Sequence, residues 1–342
     1  MKCFVFLFVA VALAACFNAL PVDNDDTRYM WIPDEQGVMH FVDLQDDTPP
    51  TREFVPEDDI VFLLYTRKNP TEGQVIKKGD LDSILATNFD ATKPVKLTVH
   101  GWIADYTSGT NTKIRDAFLN VMDVNMITVD WSLGAFEGYL ASCKNVVAGA
   151  PTVGGFIDWL STLGVSFTDI HLIGHSLGGQ FVGNAARACK LGVVEYVTGM
   201  DPAYPTWSES GDRIRKTDGK YVEIIHTNSG NLGMIDTAGH NDFYCNGGKS
   251  MPGCGIDIQC SHTRSTDYMA DSIDHQGFMG KGCLSVEEAL AGVANCTGTE
   301  QLYMGGSFTK PELGIFALNT NAEIPFYLGK ATCLNDKFDT SS

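Results

Sequence analysis

IHLIGHSLGG, residues 170–179, joins an apolar strand to a helix through a turn in which glycine stands on either side of a serine. The run Ile170 to Gly174 has the length and apolar content of a buried strand, and Gly178 to Cys189 is rich in small residues at helical spacing. A strand, a tight Gly-x-Ser-x-Gly turn and a helix make the elbow that holds a nucleophilic serine at the carboxyl end of a sheet, which makes Ser176 the candidate. The flanking glycines let the chain turn sharply, and the helix N-terminus favours negative charge developing beside it. The five-residue match says little by itself; the strand before it and the helix after it carry the reading.

Outward from the elbow, IVFLLYT (60–66), KLTVHGW (96–102), NMITVDW (125–131), VEYVTGMD (194–201) and YVEIIHT (221–227) read as further strands. KIRDAFLNVM (113–122) and a stretch from about Val146 to Leu163 have helical spacing. Strands alternating with helices predict βαβ units and a mostly parallel sheet, the α/β class. No repeat or low-complexity linker follows residue 60, so a single domain is expected over 59–342. Its last part, 283–342, holds strand-like pieces such as GSFTK and EIPFYL that can extend the sheet but are too short for an independent β-sandwich. Residues 20–58 differ: rich in Asp and Pro and thin in apolar residues, they predict an acidic extension packed loosely on the surface. A propeptide removed after Arg28 or Arg52 is the alternative.

The chain begins Met1-Lys2, then runs apolar from Phe4 to Ala15 and ends in small residues up to Ala19. That run is too short to span a bilayer and predicts a signal peptide over 1–19, hence a secreted, extracellular protein without a transmembrane segment. Of ten cysteines, Cys3 and Cys16 fall in the leader, leaving eight. In an oxidising compartment eight predict four disulfides, and the absence of C-x2-C pairs argues against a metal site. A formal charge of −18 excludes nucleic acid as a natural partner and disfavours an anionic membrane, while neutral lipid stays compatible.

A serine hydroxyl needs a histidine to take its proton, and the histidine needs a carboxylate to set its tautomer. In a fold with this elbow the acid and then the base follow the serine in the chain. Asp201, in GMDPA at 199–203, closes the next strand and falls on the rim that carries Ser176. Asp212, Asp218, Asp236 and Asp242 lie in polar or Gly-rich stretches, where a solvated side chain is expected. Among histidines, His262 in CSHTR (260–264) has a cysteine nearby to restrain its loop; His226 and His240 are its rivals by spacing. His171 and His100 read as structural. Two backbone N–H groups should face the carbonyl oxygen in the reaction, one from Leu177 and one from the loop HGW, at Trp102. Such chemistry needs no cofactor and no metal.

These pieces resemble a known family. VHGW (99–102), VDWSLGA (129–135), HLIGHSLGG (171–179), GMDPAYP (199–205), IIHTNSGNLG (224–233), DFYCNGGKSMPGC (242–254) and CSHTRS (260–265) look like the animal pancreatic-type lipases, including insect neutral lipases and wasp-venom phospholipases A1. The resemblance implies an α/β-hydrolase fold, Ser176 as nucleophile, Asp201 as acid, His262 as base, and the N–H groups of Trp102 and Leu177 as the oxyanion hole. It also implies the disulfides Cys254–Cys260 and Cys283–Cys296, leaving Cys143, Cys189, Cys245 and Cys333 with three possible pairings. The chain departs from the family in three ways. It has no room for the C-terminal β-sandwich, so no colipase partner is expected. The lid loop between Cys254 and Cys260 holds only Gly255 to Gln259, which predicts weak interfacial activation. SCKNVVAGAPTVGG (142–155) is an unusual version of its segment. The implied function is hydrolysis of a triacylglycerol or phospholipid acyl ester; the alternative is a catalytically inactive lipid-binding or yolk-type relative.

Overall fold

A computed structural model of the chain describes residues 28–46, 48–50, 52–329 and 332–333. The signal-peptide reading, 1–19, lies outside these residues. In chain order, strands β1 (Tyr29–Pro33) and β2 (Met39–Asp43) form a hairpin, followed by the short helix α1 (Pro56–Asp59), β3 (Val61–Tyr65), β4 (Gln74–Ile76) and α2 (Leu81–Leu85). Then come β5 (Val95–Val99), α3 (Gly109–Val121), β6 (Asn125–Asp130), α4 (Ser132–Ala135), α5 (Tyr139–Thr162), β7 (Ile170–His175), α6 (Leu177–Ala188), β8 (Tyr196–Met200), β9 (Tyr221–His226) and β10 (Asn241–Cys245). The chain continues with α7 (Ile258–Asp274), β11 (His275–Gln276), β12 (Met279–Cys283), α8 (Val286–Leu290), β13 (Gln301–Tyr303), β14 (Gly314–Leu318) and β15 (Thr332–Cys333).

Eleven strands form one sheet in the order β13-β12-β14-β10-β9-β8-β7-β5-β6-β3-β4. The run from β14 through β6 is parallel, and antiparallel pairs close both edges. Because helices cover both faces, the central strands are buried without alternation: every residue of β5 and β7 is buried, Lys96, Thr98 and His171 included. Leu97, Val99 and Leu172 face α5 and α6, packing with Phe156 and Phe181. Their neighbours Ile173, Met200 and Ile225 face α3 and α7, packing with Phe118 and Tyr268. Each fully buried side chain of this size contributes about 1.5–3 kcal/mol. The result is an α/β-hydrolase fold with a mostly parallel sheet.

Several local readings change. The unusual segment 142–155 is the first half of α5, which carries Pro151 inside the helix and sets Gly149 and Gly154 against Phe181 and Ala185 of α6. Neither GSFTK nor EIPFYL is a strand; β12, β13 and β14 extend the sheet instead. GSFTK supplies Lys310, whose ammonium reaches Glu223 Oε2 at 2.5 Å. Residues 28–46 are not loosely held: Ile32 and Val42 enter the main core, and Arg28 pairs with Asp43 across the hairpin base.

The two disulfides Cys254–Cys260 and Cys283–Cys296 are present. Among the described residues the expectation of four is not met: Cys143, Cys189 and Cys245 are free thiols in separate packing environments, and the side chain of Cys333 lies outside those residues. Cys143 lies under Thr206, Cys189 beside the carbonyls of Gly154 and Ala185, and Cys245 beside Met304.

Candidate active site

The elbow follows from close contact between β7, α6 and β5. A side chain at Gly178 would stand 2.2 Å from the Val99 carbonyl oxygen, so only hydrogen fits where the helix starts. Ser176 takes φ 57° and ψ −123°, a sparsely populated conformation that costs about 1–3 kcal/mol unless its surroundings impose it. They do: its N–H donates to the Met200 carbonyl at 3.1 Å, and its own carbonyl accepts the Ala203 N–H at 3.0 Å. The turn is thereby tied to the end of β8, where Asp201 also sits at positive φ, 43°.

Asp201 is buried and fully engaged. Its Oδ1 accepts the backbone N–H groups of Thr227 at 2.8 Å and Asn228 at 3.0 Å. Its Oδ2 lies 2.6 Å from His262 Nδ1. His262 comes from α7 and not from a loop: Asp257 caps that helix by accepting the Cys260 N–H at 3.0 Å, and the Cys254–Cys260 bond pins its first turn. The carbonyl of His262 accepts Ser265 Oγ at 2.9 Å and the Nε2–H of His175 at 3.1 Å. Burial holds His175 neutral, well below the usual histidine range, with His262 adding to the effect.

Ser176 and His262 line one cleft. Gly101 and Trp102 border it beside the serine, and Tyr139, Pro205 and Leu232 supply apolar wall. Trp102 is fixed by its indole N–H, which donates to the Glu137 carbonyl at 2.9 Å, and its ring meets Tyr139 edge-on at 5.3 Å. The backbone N–H of Trp102 has no hydrogen-bond partner among the described residues. That of Leu177, at the first helical position, has none within its helix.

The rival histidines are engaged elsewhere. His226 is buried between Asp242 Oδ1 at 2.9 Å and the Met234 carbonyl at 3.0 Å. His240 Nδ1 accepts the Val222 N–H at 3.0 Å. His100 accepts the Trp131 N–H at 3.1 Å, and His171 stacks on Tyr196 inside the sheet. Asp218 and Asp242, expected in solvent, are buried instead: Asp218 is held by Arg187 and Arg215, and Asp242 by His226 and the N–H groups of Ala238 and Gly239.

Three features of the site left no mark in the sequence pattern. One is the pair of N–H groups from Thr227 and Asn228 that fixes Asp201. Another is His175 beneath His262. The third is the hairpin, whose Ile32, Pro33, Asp34 and Glu35 border the cleft. Burial raises the carboxyl pKa of Glu35, whose Oε1 accepts the Thr110 N–H at 3.3 Å.

The model of the Lipase family matches residues 41–326. Pancreatic lipase-related protein 2 of Bos taurus is 39% identical over 266 residues, covering 69% of this chain and 56% of its own length. The Homo sapiens protein of the same name is 35% identical over 263 residues, covering 68% of this chain and 56% of its own length. Pancreatic triacylglycerol lipase of Sus scrofa is 35% identical over 257 residues, covering 67% of this chain and 57% of its own length. The chain thus spans little more than half the length of these relatives. With an α/β-hydrolase sheet, a strained serine elbow and a family match over most of its residues, the chain belongs to the pancreatic-type lipase family.

Proposed function

We propose that the chain is a secreted serine ester hydrolase acting on the acyl esters of lipids, either triacylglycerol or phospholipid. The observation that carries this is the 2.6 Å contact between Asp201 and His262 Nδ1, in a histidine that shares its cleft with a serine held at φ 57°. Asp201 keeps the proton on Nδ1, so Nε2 has a lone pair to take the Ser176 proton. The alkoxide attacks the acyl carbonyl, and the N–H groups of Trp102 and Leu177 receive the developing oxyanion. His262 returns the proton to the departing alcohol, leaving an acyl-enzyme. Water, activated by the same nitrogen, releases the fatty acid and restores Ser176.

Two supports come from outside the site. The relatives are lipases and lipase-related proteins by name, and the two disulfides suit an oxidising, extracellular setting. Among the described residues no helix is long and apolar enough to cross a membrane. Between Cys254 and Cys260 the loop is short and partly helical, with Ile256 fully exposed, so little is available to fold over Ser176. Weak interfacial activation follows.

The test is labelling of the folded protein with a serine-directed fluorophosphonate, alongside turnover of triacylglycerol, phosphatidylcholine and a soluble short-chain ester. A single adduct on Ser176, absent from Ser176→Ala, together with ester turnover is the expected result. No adduct and no turnover would favour the inactive lipid-binding relative.

A further inference from the structure

Hairpin β1–β2 alternates strictly. Trp31 pairs with Phe41, Ile32 with His40, and Met30 with Val42. Ile32 and Val42 turn inward to the core, and the half-buried His40 sets its ring edge-on against that of Trp102 at 5.1 Å. Tyr29, Trp31, Met39 and Phe41 turn outward, with Val38 beside them at the turn, each between 43% and 61% exposed. The outward rings hold one another: Tyr29 stacks on Phe41 at 5.5 Å, and Trp31 leans on it at 5.1 Å. A two-stranded ribbon places polar residues outward unless something apolar meets them. Here the polar residues point the other way or are engaged: Asp34 accepts the N–H groups of Gln36 and Val38 and meets His40 Nε2 at 2.9 Å, and Glu35 reaches the first turn of α3.

The apolar face continues beyond the hairpin. One surface hollow is lined by Phe41, Val42, Trp102, Ile103, Phe136 and Tyr139, with Asp43, Asp46 and Glu137 also bordering it. Phe136 and Leu133 are 57% and 51% exposed. The aromatic face therefore adjoins Trp102, while the same strand ends in Ile32 and Pro33 at the cleft of Ser176. We propose that the outward face of the hairpin docks the protein on an uncharged lipid surface, zwitterionic or neutral, and so presents the cleft to lipid esters. This rests on the lipid-ester reading above. Arg28, which lies over the Tyr29 ring, is neutralised by Asp43 at 2.6 Å, so the hairpin face carries no net charge, and the chain's net charge of −18 opposes an anionic surface. Tryptophan, tyrosine and phenylalanine are the side chains that settle at a lipid–water boundary.

The test is flotation of the full-length protein with phosphatidylcholine-stabilised triacylglycerol droplets, in a Ser176→Ala background so that binding is read without hydrolysis. Trp31→Ala with Phe41→Ala should lower the partition coefficient roughly tenfold or more. In the Ser176 protein the same pair should leave melting temperature and turnover of a soluble ester unchanged. Partitioning unaffected by the pair would overturn the proposal, whether or not the chain proves to be an esterase. So would a wild-type dimer that the pair converts to monomer without changing partition, since the face would then belong to a second copy. A secreted protein beginning after Arg52 would also overturn it, because the hairpin would be gone.

Discussion

Replacing Asp201 by Asn is the most discriminating perturbation of the site. Its two oxygens have different partners: Oδ1 accepts two backbone N–H groups at 2.8 and 3.0 Å, and Oδ2 faces His262 Nδ1 at 2.6 Å. An asparagine can enter in one orientation only. Its amide oxygen must take the Oδ1 place, because the reverse would set an NH₂ against the Thr227 and Asn228 donors and leave both buried and unpaired, at about 1–3 kcal/mol each. The NH₂ then faces Nδ1, and a donor there requires Nδ1 to be bare. The imidazole proton moves to Nε2, and the lone pair that should accept the Ser176 proton is lost. The same exchange in a Ser-His-Asp protease lowers turnover about 10⁴-fold, which at 1.36 kcal/mol per decade is about 5.4 kcal/mol of transition-state stabilisation. Initial rates on a short-chain nitrophenyl ester below its solubility limit measure the effect, with thermal melting as the control for folding. Asp201→Ala provides the contrast: both donors lose their acceptor, so stability should fall by about 2–6 kcal/mol as well. An Asp201→Asn protein keeping more than about a tenth of wild-type kcat/KM would refute the tautomer argument.

Other consequences are open to simpler measurement. In the Trp31→Ala, Phe41→Ala protein, where docking is removed, rates on a short-chain triacylglycerol should rise smoothly through its solubility limit; a sharp jump there would show that something does cover Ser176. Burial holds His171 and His175 neutral below the ordinary histidine range, whereas the unfolded chain protonates them below about pH 6.5. Their contribution is therefore complete above that pH and is lost as pH falls through it, by up to about 1.4 kcal/mol per pH unit for each. In urea unfolding at pH 7.5 and 5.5, His171→Gln should accordingly lose less stability on acidification than wild type. Burial pushes the thiols of Cys143 up to about 11 and Cys189 up to about 12, and that of Cys245 also upward. All three should resist a thiol reagent at pH 8 until urea is added, and rapid native labelling of any one would contradict their placement. Lys310→Met would strand the Glu223 carboxylate in the sheet and should cost about 3–5 kcal/mol, whereas Lys310→Met with Glu223→Leu should recover much of it; equal melting temperatures for the two would argue against the pair.

Much was legible in the sequence because it depends on local order. The elbow is written in consecutive residues, since glycine is needed wherever strand, helix and serine crowd together; the parallel sheet shows as short apolar runs separated by helical spacing. The acid at the end of the next strand follows from that topology, and the resemblance supplied His262 and the two disulfides. What the sequence left open is set by contacts between segments far apart in the chain. CSHTR reads as a loop, yet Asp257 and the Cys254–Cys260 bond start a helix there. Asp242 looks solvated until His226, on the neighbouring strand, is brought within 2.9 Å. The even cysteine count pointed to four bridges, but pairing needs proximity, and the fold gives Cys143, Cys189 and Cys245 other neighbours. The acidic stretch before residue 59 looked peripheral because few of its residues are apolar. Strand pairing gathers those few onto two faces, one closing on the core beside Ser176 and the other open to solvent, and only the tertiary structure decides which face goes where.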